Sequence, residues 1–291
     1  IAHVTGEPTE ISATRAASGG CIHQANVVRT GDGRCFFVKS NPAAPPALFE
    51  REAEGLEALA ATETIRVPRP LGTGTGEAAV PAFLVAEAID TGSPGRGFWE
   101  TFGRRFAALH RANSERVSAD TRRFGFAHDN FIGATPQPNA WDDDWCEFWR
   151  HHRLGFQLEL ARRNGLSDPT LDRLGDRLLA RLDGLIDEPD EPPCLLHGDL
   201  WSGNFMSDEH GEPVLIDPAA YYGRREADLA MTELFGGFNA RFYSAYEEAW
   251  PLAPGSRERL DLYQLYHLLN HLNLFGHGYR DRCVAILRRL T

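Results

Sequence analysis

Residues 195–204 read Leu-Leu-His-Gly-Asp-Leu-Trp-Ser-Gly-Asn, and a second acidic residue, Asp217, closes the apolar run Val214-Leu215-Ile216. Phosphoryl transfer needs residue types in this order: a carboxylate at the acceptor hydroxyl, then two oxygen ligands for magnesium on the β- and γ-phosphates of ATP. Asp199 is the candidate base, with Asn204 and Asp217 the candidate metal ligands. Asp and Asn in glycine-containing loops usually cap turns. Turn capping accounts neither for the spacing nor for an Asp ending an apolar strand.

Lys39 ends the run Cys35-Phe36-Phe37-Val38 and is the only lysine among the 30 basic residues. A compact ammonium suits a phosphate oxygen better than a planar guanidinium does. A glutamate on the next helix would hold it on the α- and β-phosphates. Glu52 is in register with Leu56 and Leu59 and is the candidate partner, with Glu50 and Glu54 as rivals. Ser18-Gly19-Gly20-Cys21 is a short glycine turn in which the Gly19 and Gly20 backbone could approach phosphates, although the full G-x-G-x-x-G is absent. Cys21 there is either a redox-sensitive loop thiol or an inert small apolar residue.

These groups need a sheet, a helix and a loop to bring them together. Ile22 to Arg29 and Cys35 to Lys39 read as strands around the Gly31-Asp32-Gly33 turn, and Leu48 to Ala61 as a helix with Phe49, Ala53, Leu56 and Ala60 on one face. Ala82 to Glu87 reads as a buried strand. After Thr91 to Gly97 the pattern changes to long amphipathic helices, beginning with the stripe Phe98, Phe102, Phe106 and Leu109. Further helices are expected over Trp141 to Arg163, Pro169 to Ile186, Glu226 to Phe235, Arg257 to Phe275 and Arg280 to Leu290, with short strands flanking the motif. The expectation is an α+β, two-lobed protein-kinase-like fold: an antiparallel-sheet lobe with one main helix over residues 1–89, and a larger, mainly helical lobe over 90–291.

The net charge of −11 argues against a nucleic-acid or anionic-membrane partner. The longest apolar candidate, Val80 to Ile89, is too short to span a bilayer. Five scattered cysteines without a C-x-x-C pair suit a reducing cytoplasm. The sequence says nothing of oligomeric state.

Taken together, Gly19-Gly20-Cys21-Ile22, Phe37-Val38-Lys39, Val67-Pro68-Arg69-Pro70, His197 to Asn204, Asp217-Pro218-Ala219 and Phe235-Gly236-Gly237-Phe238 resemble the fructosamine-3-kinase, or ketosamine-3-kinase, family. The resemblance implies transfer of the ATP γ-phosphate to the 3-hydroxyl of a ketoamine, free or protein-bound, and a role in deglycation. It implies Asp199 as proton acceptor, Lys39 and Glu52 as the phosphate-orienting pair, and the backbone of Glu87, Ala88 and Ile89 as the adenine hinge. His23 departs from the smaller polar residue expected in that loop. Asp228 is expected to anchor the catalytic loop. Trp201 is either a sugar-flanking or a lobe-packing residue; Asp129, Asn130, Asn270 and His271 are either buried hydrogen-bonded groups or substrate contacts. The competing readings are another phosphotransferase of this fold, acting on an aminoglycoside, choline or a sugar, and a nucleotide-binding pseudokinase. Asp142-Asp143-Asp144 is the one acidic cluster available to an aminoglycoside site.

Overall fold

In the computed structural model, residues 1–17, 23–45, 47–76, 80–114, 123–186 and 191–291 are described. A short helix α1 (Ala2–Thr5) precedes strands β1 (Ile11–Ala16), β2 (Gln24–Thr30) and β3 (Cys35–Asn41), helix α2 (Leu48–Ala60), and strands β4 (Pro70–Gly74) and β5 (Ala82–Glu87). The five strands form one antiparallel sheet in the order β1-β2-β3-β5-β4.

Register decides which side chains leave this sheet on the functional side. Lys39 lies opposite Ala25 and Leu84, and Phe37 opposite Val27 and Ala86. With a side-chain period of two, these residues share one face, and all six line the same cleft. Helix α2 buries Leu48, Phe49, Leu56 and Leu59 and keeps Glu52 on the cleft side.

The rest of the chain is mainly helical. Helix α3 (Phe98–Ser114) is followed by the hairpin β6 (Asn130–Ile132) and β7 (Thr135–Gln137). Next come α4 (Trp145–Phe148), a seven-residue π-helical stretch (Trp149–Gly155), α5 (Phe156–Arg163) and α6 (Pro169–Ala180). Strands β8 (Cys194–Leu196), β9 (Phe205–Ser207), β10 (Pro213–Leu215) and β11 (Tyr221–Gly223) make two small antiparallel pairs. Helices α7 (Arg225–Leu234), α8 (Ala240–Ala249), α9 (Ser256–Phe275) and α10 (Arg280–Leu290) complete the chain.

The stripe expected on α3 is buried: Phe102, Phe106 and Leu109 are fully enclosed and Phe98 nearly so. Phe102 packs edge-on against Phe205 and Phe242, and Phe238 sits between those two. The aromatic core therefore reaches directly beneath β9, which follows the His197-to-Asn204 loop.

Three expected elements are corrected. The helix drawn from Trp141 begins at Trp145, because Phe124 and Asp142 exchange backbone hydrogen bonds and hold 141–143 extended. Asp144 then caps α4 by accepting from Glu147 N. The helix from Pro169 ends at Ala180, and Leu182–Gly184 is a separate 3-10 turn. Helix α8 was not expected at all; Phe242, Ala245 and Tyr246 form its buried face.

Candidate active site

Gly198 and Asp217 shape the catalytic loop at the backbone level. Gly198 has φ +82°, and a Cβ there would lie 2.0 Å from Ala219 O, so a side chain is excluded on two grounds. Asp217 itself adopts φ +54°, an uncommon left-handed conformation for a residue other than glycine. Gly237, at φ +96°, lets the Phe-Gly-Gly-Phe segment close onto the loop, since a Cβ would meet Ser202 Cβ at 2.5 Å.

Hydrogen bonds then fix the loop at several points. His197 N and Gly198 N donate to the two carboxylate oxygens of Asp228, at 2.7 and 2.8 Å. His197 Nε2 lies 2.9 Å from Ile216 O, Ala219 N donates to His197 O, and Ile216 N donates to Asn204 O. Burial holds the His197 imidazole below its ordinary pKa, so it is neutral, with Nε2–H donating and Nδ1 accepting from Asp199 N.

The charged groups meet in a cleft of about 1080 Å³ between the sheet and the helical part. Lys39 Nζ lies 3.0 Å from both Glu52 oxygens and 3.1 Å from Asp217 Oδ1. Lys39 is 6% exposed. Burial opposes its charge, but the Glu52 and Asp217 carboxylates more than reverse this and raise its pKa. Both rival glutamates are engaged elsewhere: Glu50 with Arg51, and Glu54 with Arg51 and His128.

Asn204 Nδ2 donates to Asp199 O at 2.8 Å and approaches Asp199 Oδ2 at 3.3 Å. The pKa of the Asp199 carboxyl is raised well above the usual range by burial, then by the negative charges of Asp217 and Asp228. With its amide nitrogen engaged, Asn204 has its amide oxygen to offer a cation, and the Asp217 side chain is 34% exposed on the cleft side. A carboxylate and an amide oxygen are hard donors suited to magnesium.

Glu87, Ala88 and Ile89 line the cleft just past the end of β5. Glu87 exchanges bonds with Arg69, and its carboxylate takes Arg66 Nη2 at 2.9 Å. Arg66 also pairs with Asp208 at 2.7 Å, tying this segment to the β9–β10 turn. Gly19, Gly20 and Cys21 lie outside the described residues. His23 lines the cleft, bonded to Asn41 and packed on Phe49; burial and nearby Lys39 lower its pKa to about 4.

The remaining positions divide. Trp201, Asn270 and His271 face the cleft. Asn130 also borders it, but its amide is committed to Ala220 O, Gln137 and Asn139. Asp129 is exposed and not part of the cleft wall; its carboxylate accepts from Asn139 N at 2.7 Å, so of its two readings the hydrogen-bonded one fits, at an exposed rather than a buried position. Of the acidic cluster, Asp144 caps α4, Asp143 pairs with Arg123, and none lines the cleft.

Sequence reasoning missed two supporting residues. His110, fully buried, places Nε2 3.2 Å from Asp228 and Nδ1 2.7 Å from Tyr246 OH. Its signal was a histidine four residues after Phe106 on an apolar stripe. Arg66 was the other, and nothing in its sequence neighbourhood foretold its three carboxylate partners, Glu87, Asp208 and Glu209.

The fructosamine kinase family profile matches residues 1–291. The chain belongs to that family. This fructosamine kinase family member is 45% identical over 291 residues to a Synechocystis sp. protein described as a ketoamine kinase, covering 99% of this chain and 94% of the relative. It is 45% identical over 285 residues to the chloroplastic protein-ribulosamine 3-kinase of Oryza sativa subsp. japonica, covering 97% and 80%. A crystal structure from Thermobifida fusca YX-ER1, described as a fructosamine-3-kinase, superposes with a TM-score of 0.85 at 36% identity, covering 99% and 96%. Among the described residues no helix is long and apolar enough to cross a membrane.

Proposed function

We propose that this fructosamine kinase family member is an ATP- and magnesium-dependent ketosamine 3-kinase that phosphorylates the 3-hydroxyl of a ketose joined to an amine. The observation that carries the reading is the convergence of Lys39, Glu52, Asp199, Asn204 and Asp217 in one cleft. The relatives' shared ketoamine and ribulosamine chemistry supplies the acceptor class.

Asp199 orients the 3-hydroxyl and accepts its proton as the oxygen attacks the γ-phosphorus. Lys39, held by Glu52, neutralises and orients the α- and β-phosphates. Asn204 and Asp217 would hold magnesium, which supplies charge neutralisation at the β- and γ-phosphate oxygens. The Glu87–Ile89 backbone receives adenine. Trp201 and His271, which line the cleft, serve in this reading as flanks of the acceptor sugar.

Residues 1–89 serve as the ATP-binding lobe and 90–291 as the catalytic and substrate lobe. A cytoplasmic location is supported by the free thiols of Cys35, Cys146, Cys194 and Cys283. Absence of a carboxylate cluster from the acceptor wall, among the described residues, disfavours an aminoglycoside acceptor. The test is magnesium-dependent ADP release with ribulosyl-lysine and fructosyl-lysine against kanamycin and choline.

A further inference from the structure

Helix α9 ends at Phe275, and Gly276, at φ +85°, turns the chain into the single 3-10 turn His277–Tyr279. This reversal brings Phe275 and Tyr279 onto one side, with ring centroids 6.2 Å apart. His271, one turn earlier on α9, packs with its ring tilted against both at 5.5 and 5.1 Å, and against Phe235 at 4.8 Å. Phe275 is 50% exposed, and of the four large apolar side chains that are exposed among the described residues it alone lines the cleft.

An exposed aromatic at the rim of the catalytic cleft can seat an apolar part of a ligand. Asp199, Trp201, His271, Phe275 and Tyr279 all line this cleft. In a ketosamine the amine is attached to C1, two carbons from the reacting C3 hydroxyl. With the hydroxyl at Asp199 and the triphosphate on the Lys39 side, the amine carrier leaves along the α9 wall. The guanidinium of Arg282 lies over the Phe235 ring, 5.7 Å from its centroid. Burial, opposed by the bond to His267 O, keeps the His271 pKa below its ordinary value, so this residue adds no positive charge. Aromatic faces accept both methylenes and an ammonium group.

Building on the ketosamine reading, we infer that Phe275 and Tyr279 form a lip that binds the alkyl arm of the amine carrying the ketose, as presented by a glycated lysine side chain. The lip then sets preference among carriers and leaves the sugar chemistry to Asp199.

The test compares one ketose on two amines, ribulosyl-methylamine and ribulosyl-lysine, for the parent, Phe275→Ala, Tyr279→Ala and Phe275→Leu. The parent should favour the lysine conjugate, and the ratio of the two kcat/KM values should fall about tenfold in each alanine variant, carried by KM. Phe275→Leu, which keeps an apolar surface, should retain most of the preference. KM for ATP and the melting temperature report whether a variant is intact. An unchanged ratio in intact alanine variants overturns the lip, as does an equal loss for both substrates. Parent enzyme that phosphorylates neither conjugate refutes the ketosamine reading itself, a result distinct from loss of carrier preference.

Discussion

Lys39 Nζ, from the third strand of the N-terminal sheet, lies 3.1 Å from Oδ1 of Asp217, the residue that follows the last apolar position after β10. That ion pair, shared with Glu52 at 3.0 Å, closes the cleft between the sheet and the helical part. A buried cation held by two carboxylates can exchange part of this pairing for a bound triphosphate and its metal.

Replacing Lys39 with Ala should therefore lower kcat/KM for ATP by about a hundredfold or more, and Lys39→Arg should fail to restore it. The guanidinium is larger and planar, and the site is almost fully enclosed. Glu52→Gln should give a smaller loss, because a neutral amide can still position the ammonium. Steady-state kinetics with varied ATP would decide this; an arginine variant with parental kinetics would contradict the proposed contact.

Asp199→Asn should reduce kcat by about 10² to 10⁴ while leaving nucleotide affinity near the parental value, since general-base help is of that size. Nucleotide binding by calorimetry alongside turnover separates the two effects. Asn204→Ala has a different signature: a raised magnesium requirement for turnover.

Asp228 anchors the loop from beneath and is itself held by His110, which accepts from Tyr246. Asp228→Ala leaves two buried backbone N–H groups without an acceptor, at about 1–3 kcal/mol each. Melting temperature and kcat should both fall, with His110→Phe producing a milder version of each. An Asp228→Ala variant as stable and active as the parent would remove this anchoring role.

Stability should also depend on pH through the enclosed histidines. Burial, and then His271, lower the His267 pKa to about 3, and burial lowers those of His110 and His197. Below about pH 6.5 the unfolded chain takes up protons that the folded chain refuses, so stability is full above that pH and declines as pH falls. Each such group contributes a slope of about 1.4 kcal/mol per pH unit. Between pH 6 and 4, denaturant unfolding of His267→Phe should show a shallower pH slope than the parent by about that amount. Parallel slopes would mean that His267 takes up its proton in the folded state.

The catalytic half of the site was legible because its geometry is local. His197, Asp199, Asn204 and Asp217 occur in a short stretch whose strands and turn are dictated by apolar runs and glycines, so their spacing carries the structure. The pairing of Lys39 with Glu52 was legible from helical register, which set it apart from Glu50 and Glu54. Helix α8 was harder to read, because its aromatic face is defined by Phe102 and Phe238, which come from other parts of the chain. Asp129 could not be assigned between its two readings from sequence, because its partner Asn139 lies across the β6–β7 hairpin. Arg66 and His110 meet their partners over long sequence separations, which no local pattern encodes.

The central claim is transfer of the ATP γ-phosphate to the ketose 3-hydroxyl with Asp199 as base. Phosphorus NMR of the product formed from ribulosyl-lysine, run for the parent and Asp199→Ala beside kanamycin and choline, tests it most directly. The account predicts magnesium-dependent phosphorylation at O3 by the parent, little or none by the variant, and no comparable turnover of the other acceptors. Phosphorylation of kanamycin or choline without the ketoamine, or undiminished product from Asp199→Ala, would contradict it.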